Sequence, residues 1–150
     1  MLFEKESAFN AELFRKISEE TPQMIHDGFL FVVKNEDKKG RSGAGIIKGA
    51  PDIVMPTRKL GLELKCYRKD TDLQHFEAQL HWATNHVSRG GSYLLFEGME
   101  SKDCDFFAHI ITNIYHSEDA PPVVMFAGRT AWLRRKFAKA LPAGEIVDLN

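Results

Sequence analysis

The stretch Gly49-Ala50-Pro51-Asp52-Ile53-Val54-Met55-Pro56, followed by Leu60-Gly61-Leu62-Glu63-Leu64-Lys65, decides how the rest of the chain reads. Asp52 stands at the head of a short apolar run. The second part alternates, so Leu62, Leu64 and Cys66 fall on one face of a strand and Glu63 and Lys65 on the other. An apolar face wants burial, which holds a carboxylate and an ammonium close to the core. Such groups are costly to bury without counter-charges or a metal. A turn over Pro56 to Lys59 would bring Asp52 near Glu63. Converging carboxylates with a lysine beside them suit a Mg²⁺ or Mn²⁺ site for phosphodiester hydrolysis.

The same residues carry a family resemblance. Pro51-Asp52 followed by Glu63-x-Lys65 resembles the PD-(D/E)XK nuclease signature. The Gly49-x-Pro51-Asp52 opening and Gln79 in the helix after the lysine strand are similar to the VRR-NUC and Holliday-junction-resolvase branch. The resemblance runs from about Glu12 to Phe96. The bare acid-x-lysine pair is common in surface strands. Specificity comes from the ordered set: glycine-rich approach, Pro-Asp, hairpin, Glu-x-Lys and a Gln-bearing helix.

What the resemblance implies is an α/β fold with a restriction-endonuclease-like αβββαβ core, a central mixed sheet flanked by helices. The core would span about residues 3–98 and a helix–strand–helix extension about 103–141, within one domain. Asp52, Glu63 and the Leu64 carbonyl would hold Mg²⁺, with Mn²⁺ able to substitute, and Lys65 would orient the attacking water. Gln79 would hold Glu63, Lys65 or that water. The first helix would add an acid, Glu12 ahead of Glu6, although a solvated flank explains either one as well. The implied activity is hydrolysis of DNA, leaving 5′-phosphate, by a structure-directed endonuclease acting on branched DNA as a homodimer. Restriction- or repair-type nucleases, and a catalytically silent nucleic-acid-binding relative, are the alternatives.

Bulk properties bound these readings. The chain has 150 residues, 43% hydrophobic and 27% charged, which suits a globular domain able to bury a core. A net charge of -1 does not advertise nucleic-acid binding, so any such binding must rest on local patches. Cys66 and Cys104 are too few for a disulfide scaffold, and Cys66 reads as a small buried thiol. With no signal peptide or transmembrane run in the sequence, a cytoplasmic protein without membrane partner is the expectation. No P-loop, G-x-S-x-G, H-E-x-x-H or CxxC pair occurs, and no organic cofactor is expected.

Along the chain, Phe9, Leu13 and Ile17 predict a helix over Phe3 to Glu20, ended by Thr21-Pro22. Phe29 to Lys34 reads as a strand apolar enough to be covered on both faces. Lys38, Lys39, Arg41 and Lys48 lie in a glycine-rich segment that could follow a phosphate backbone or simply be solvated. Arg68 and Lys69 follow the lysine strand and carry the same pair of readings. A helix from Thr71 or Asp72 to about Val87 presents Phe76, Leu80 and Ala83, with Gln79 at the border. His81 and Trp82 read as packing or surface residues. Ser92 to Glu97 is a strand, Asp103 to His116 a helix by its beat, and Val123 to Phe126 a short strand. A last helix, Ala131 to Leu141, has Thr130 as its expected cap and a tail from Gly144. Arg129, Arg134, Arg135 and Lys139 are either the second arm of a DNA cleft or an ordinary solvated face.

Overall fold

The computed structural model describes residues 3, 5–33, 49–66, 73–117 and 123–149. The elements are α1 (Glu6–Glu20), α2 (Pro22–His26), β1 (Phe31–Val32), β2 (Ile53–Met55), β3 (Leu60–Cys66), α3 (Leu73–Ser88), β4 (Ser92–Gly98), α4 (Ser101–His116), β5 (Val124–Gly128), α5 (Ala131–Ala140) and β6 (Glu145–Asp148). The strands form a mixed sheet of six in the order β1-β2-β3-β4-β5-β6. β1, β2 and β3 are joined antiparallel, and β3 through β6 run parallel. The architecture is therefore α/β, with helices on both faces.

Each face has its own core. Phe9, Leu13 and Ile17 of α1 recur every four residues and meet Phe107, Ala108 and Ile111 of α4 over Leu62, Leu64, Leu94 and Phe96. Phe107 stacks on Phe96 at 4.3 Å between centroids and meets Phe9 edge-on at 5.9 Å. On the other face, Phe76, Leu80 and Ala83 of α3 and Leu133 and Phe137 of α5 cover Tyr93, Leu95 and Phe126. The parallel strands advance across the sheet in one direction, yet α4 lies opposite α3 and α5. The β4–α4–β5 crossover is therefore opposite in hand to its neighbours, a departure from the usual uniform right-handedness.

Several expectations are corrected. The apolar run at Phe29 forms an edge strand instead of a doubly covered one, with Phe31 and Val32 48% and 62% exposed. Apolar content alone does not distinguish an edge strand from a central one. Thr21-Pro22 ends α1 but also starts α2, because proline suits a first helical turn. The expected tail contains β6, whose Ile146 and Val147 pair alongside Phe126 and Ala127. Thr130 makes no side-chain cap to α5, since its hydroxyl donates to Glu97 instead. The helical reading of α4 holds over a strand, and both cysteines are buried thiols outside any disulfide.

Phe107→Ala removes the ring that joins α4 to both α1 and the sheet. It should lower stability by about 3–5 kcal/mol in urea unfolding. A loss below about 1 kcal/mol would contradict the packing described.

Candidate active site

The β2–β3 hairpin, joined through a 3₁₀ turn over Pro56–Arg58, places Asp52 beside Glu63. The register Ile53 to Leu62 extends to set those two residues opposite each other. β2 pairs with β3 only as far as Leu62, so the rest of that strand edge is open to side chains. Asp52 uses it: its Oδ2 accepts the Leu64 amide hydrogen at 2.9 Å. The carbonyl of a strand residue points to the same side as its N–H, so the Leu64 carbonyl faces the Asp52 side. Close approach sets the entry to the hairpin. At Gly49, φ is +81°, and an added Cβ would lie 2.4 Å from the Ala78 carbonyl oxygen. At Gly49 the chain thus comes close to α3, one residue from Gln79.

Glu63 and Lys65 share the α3 face of a strand that is buried throughout, at 1% and 5% exposure. Gln79, 3% exposed, donates from Nε2 to Glu63 Oε1. Its Nε2 also lies 3.1 Å from His75 Nε2. The Lys65 ammonium sits 5.9 Å from the Phe76 ring centroid, a cation–π contact that softens its desolvation. Asp52, Glu63, Lys65, Gln79 and the Leu64 carbonyl therefore come together toward the carboxyl ends of the parallel strands, where open α/β sheets bind ligands.

This face is left partly unsatisfied. Glu63 Oε2, Gln79 Oε1 and the Tyr93 hydroxyl are buried without a hydrogen-bond partner. Burial, first, and then the neighbouring Asp52 carboxylate push the Glu63 carboxyl well above its ordinary range. Lys65 opposes the rise, and Glu6 adds to it. Tyr93 is likewise pushed well up, by burial and then by the charges of Glu63 and Asp52. Sequence reading missed Tyr93. Its only signal was its place in a strand, where Leu95 pairs with Glu63 and Tyr93 with Gly61 on the same face.

The two acids expected from α1 have different surroundings. Glu12 forms a two-pronged ion pair with Arg15 and lies 3.8 Å from Lys16. The Arg15 contact, against some desolvation, holds its carboxyl below the ordinary value. Glu6 is the α1 residue whose charge reaches Glu63. The Arg129 guanidinium grips Asp103 at 2.9 and 3.1 Å and is mostly buried, so it braces the fold. Burial works against the Asp103 charge, but Arg129 and the Met99 and Glu100 amides outweigh it and hold that carboxyl low. On α5, Arg134, Arg135 and Lys139 are exposed, with Arg134 paired to Asp148 at 3.0 Å. Lys38, Lys39, Arg41, Lys48, Arg68 and Lys69 lie outside the described residues.

Among the described residues, no group of three or more His, Cys, Asp or Glu side chains is placed to hold a metal ion. The fit of a hard cation rests instead on Asp52, the bare Glu63 Oε2 and the Leu64 carbonyl. Mg²⁺ commonly takes one or two carboxylates and keeps several waters, so this oxygen set fits it. No described helix is long and apolar enough to cross a membrane. Comparison with protein-family models, curated proteins and solved structures returned no match.

The raised Glu63 carboxyl makes stability depend on pH with a definite sign. Folded protein retains a proton that the unfolded chain releases near 4.5. The stabilisation is complete below that value and is lost as pH rises through the folded value. In EDTA, Glu63→Gln should therefore match wild type in Tm at acidic pH and exceed it increasingly toward about pH 8. Thermal melts across pH check this, and a pH-independent gap would refute it.

Proposed function

We propose that this chain is a divalent-metal-dependent deoxyribonuclease with a PD-(D/E)XK-type core, acting as a structure-directed endonuclease that leaves 5′-phosphate. The observation that carries the reading is the convergence of Asp52, Glu63, Lys65 and Gln79 on one buried face, with Glu63 Oε2 unpartnered. The element order α1, β1, β2, β3, α3, β4 supports the restriction-endonuclease-like core. Mg²⁺ or Mn²⁺ is the proposed cofactor, DNA the substrate, and a homodimer the proposed working form.

A phosphodiester is anionic, repels hydroxide and has a poor leaving group. A divalent ion held by Asp52, Glu63 and the Leu64 carbonyl would neutralise phosphate charge and acidify a bound water. The chain's own residues supply the rest. The Leu64 amide fixes the Asp52 carboxylate, and Gln79 fixes one oxygen of Glu63 so that the other faces inward. Glu63 must release its proton to act as an anionic ligand, so cation affinity rises with pH. Lys65, held on the same face, orients the attacking water and offsets charge developing on the phosphoryl oxygens.

The test is incubation with Mg²⁺ or Mn²⁺ and a panel of linear, nicked, flapped, single-stranded and four-way-junction DNAs. Cleavage should require the metal and stop in EDTA. Asp52→Ala should lower it at least about 100-fold and weaken cation binding. Lys65→Ala should cut turnover while calorimetry still detects the ion. Wild-type turnover in Asp52→Ala would end the assignment. Glu6→Gln should reduce cleavage more than Glu12→Gln, because only Glu6 adds charge at Glu63.

Arg135 and Lys139 are proposed to follow the phosphate backbone, whereas Arg134 is already paired. Replacing both by alanine should flatten the slope of log affinity against log salt by about one to two units on duplex DNA. An unchanged slope would remove α5 from the interface.

A further inference from the structure

A groove of about 710 Å³ opens at the amino-terminal end of β3, on the face that carries Glu63, within the roughly 300–1,000 Å³ range of small-ligand sites. Its floor includes Val54 of β2 and its wall the last turns of α3. Val54 pairs with Gly61, one same-face step, or about 7 Å along the strands, from Asp52 and Glu63. Gly61 creates the space: a Cβ there would lie 3.0 Å from the Trp82 ring and 2.9 Å from Pro51. Trp82 can therefore lie over the hairpin.

The groove is lined by aromatic and cationic groups. Trp82 stacks on His86 with centroids 4.7 Å apart and planes 25° from parallel. His86 is anchored, because Nε2 lies 2.7 Å from the Lys59 carbonyl oxygen. A carbonyl only accepts, so Nε2 carries the hydrogen. Glycine at 91 leaves room for that ring, since a Cβ would lie 2.3 Å from His86 Nε2. Lys59 and Arg89, both exposed, line the rim, and no carboxylate lines it among the described residues.

Anchored aromatic surface, flanking cations and absence of anionic lining suit a flat π-system carried on a polyanion. A base within a duplex is already stacked on both faces and cannot enter such a groove. We propose that this groove stacks an unpaired nucleobase, belonging to the nucleotide next to the phosphate held at Asp52 and Glu63. This rests on the nuclease reading for the position of that phosphate, and it narrows the substrate class to DNA with unpaired nucleotides at the cut. Lys59 and Arg89 would contact the backbone on the outer side.

The test reads Trp82 directly. The chain has two tryptophans, so Trp132→Phe leaves Trp82 as the sole tryptophan, which excitation at 295 nm reads apart from the tyrosines. Titration with a short oligothymidylate in EDTA should quench its emission, whereas an abasic strand of equal length should not. Trp82→Leu keeps apolar bulk without a stacking face, and should weaken binding roughly five- to a hundredfold, the loss of one stacked base. Trp82→Phe should restore most of it, and circular dichroism verifies the fold of each variant. No quenching, or equal quenching by the abasic strand, would overturn the proposal. So would self-association that Trp82→Leu abolishes, because a second copy would then occupy the groove. Base-dependent quenching with no cleavage in any metal would uphold the groove and overturn the nuclease reading. Cleavage with unaltered Trp82→Leu affinity would do the reverse.

Discussion

Burial of Glu63 and Lys65 side by side on β3 is the constraint around which the structure is arranged. Every residue of that strand is buried. A carboxylate and an ammonium in such a place are costly unless they meet partners. Here each has one: the Gln79 amide for Glu63 and the Phe76 ring beneath Lys65. The balance of charge is nevertheless uneven. Burial first, then Asp52 and least of all Glu6, work against Lys65 at Glu63 and favour the protonated carboxyl. A cation held there, as proposed, would reverse that balance and couple its binding to proton release.

The two cores keep this arrangement fixed from opposite sides. Below β3, Leu62, Leu64 and Cys66 are locked into the layer of α1 and α4, which sets the register of the strand. A slip of one residue would send Glu63 and Lys65 into that apolar layer. Above it, α3 is seated by Phe76, Leu80 and Ala83, which sets the height of Gln79 over Glu63. The tight approach at Gly49 then draws the start of the hairpin against the same helix. Site geometry is therefore a consequence of core packing on both faces.

The sequence made the alternation in β3 legible because period-two patterning is strong where one face is fully apolar. For the same reason the α1 and α4 stripes were readable. The acid of α1 was not: Glu6 and Glu12 both border the stripe, and only the positions of Arg15 and Lys16 show that Glu12 is held in ion pairs. Arg129 looked like a free cation because its partner, Asp103, is distant in sequence. β6 was hidden by its length and polar ends, and its pairing depends on an edge that β5 provides. Trp82 read as a packing or surface residue, since nothing local reveals the space that Gly61 leaves on another element.

Burial of an acid does not by itself mark a site, and Glu97 supplies the contrast. It lies on β4, its Cα in register with Lys65, and is buried as deeply as Glu63. Its Oε1 accepts the Arg129 and Thr130 amide hydrogens at 2.8 and 2.7 Å, and its Oε2 accepts the Thr130 hydroxyl at 2.5 Å. These donors cluster at the start of α5, where the helix dipole also favours negative charge. Glu97 thus has its hydrogen-bonding capacity engaged on both oxygens and serves to tie β4 to α5. Glu63 faces the middle of α3, where backbone amides are already committed to the helix. From α3 a side-chain amide reaches one of its oxygens, and the other has no donor facing it. The difference between a fully engaged and a partly unsatisfied buried carboxylate in this sheet is therefore the part of the facing helix that each one meets.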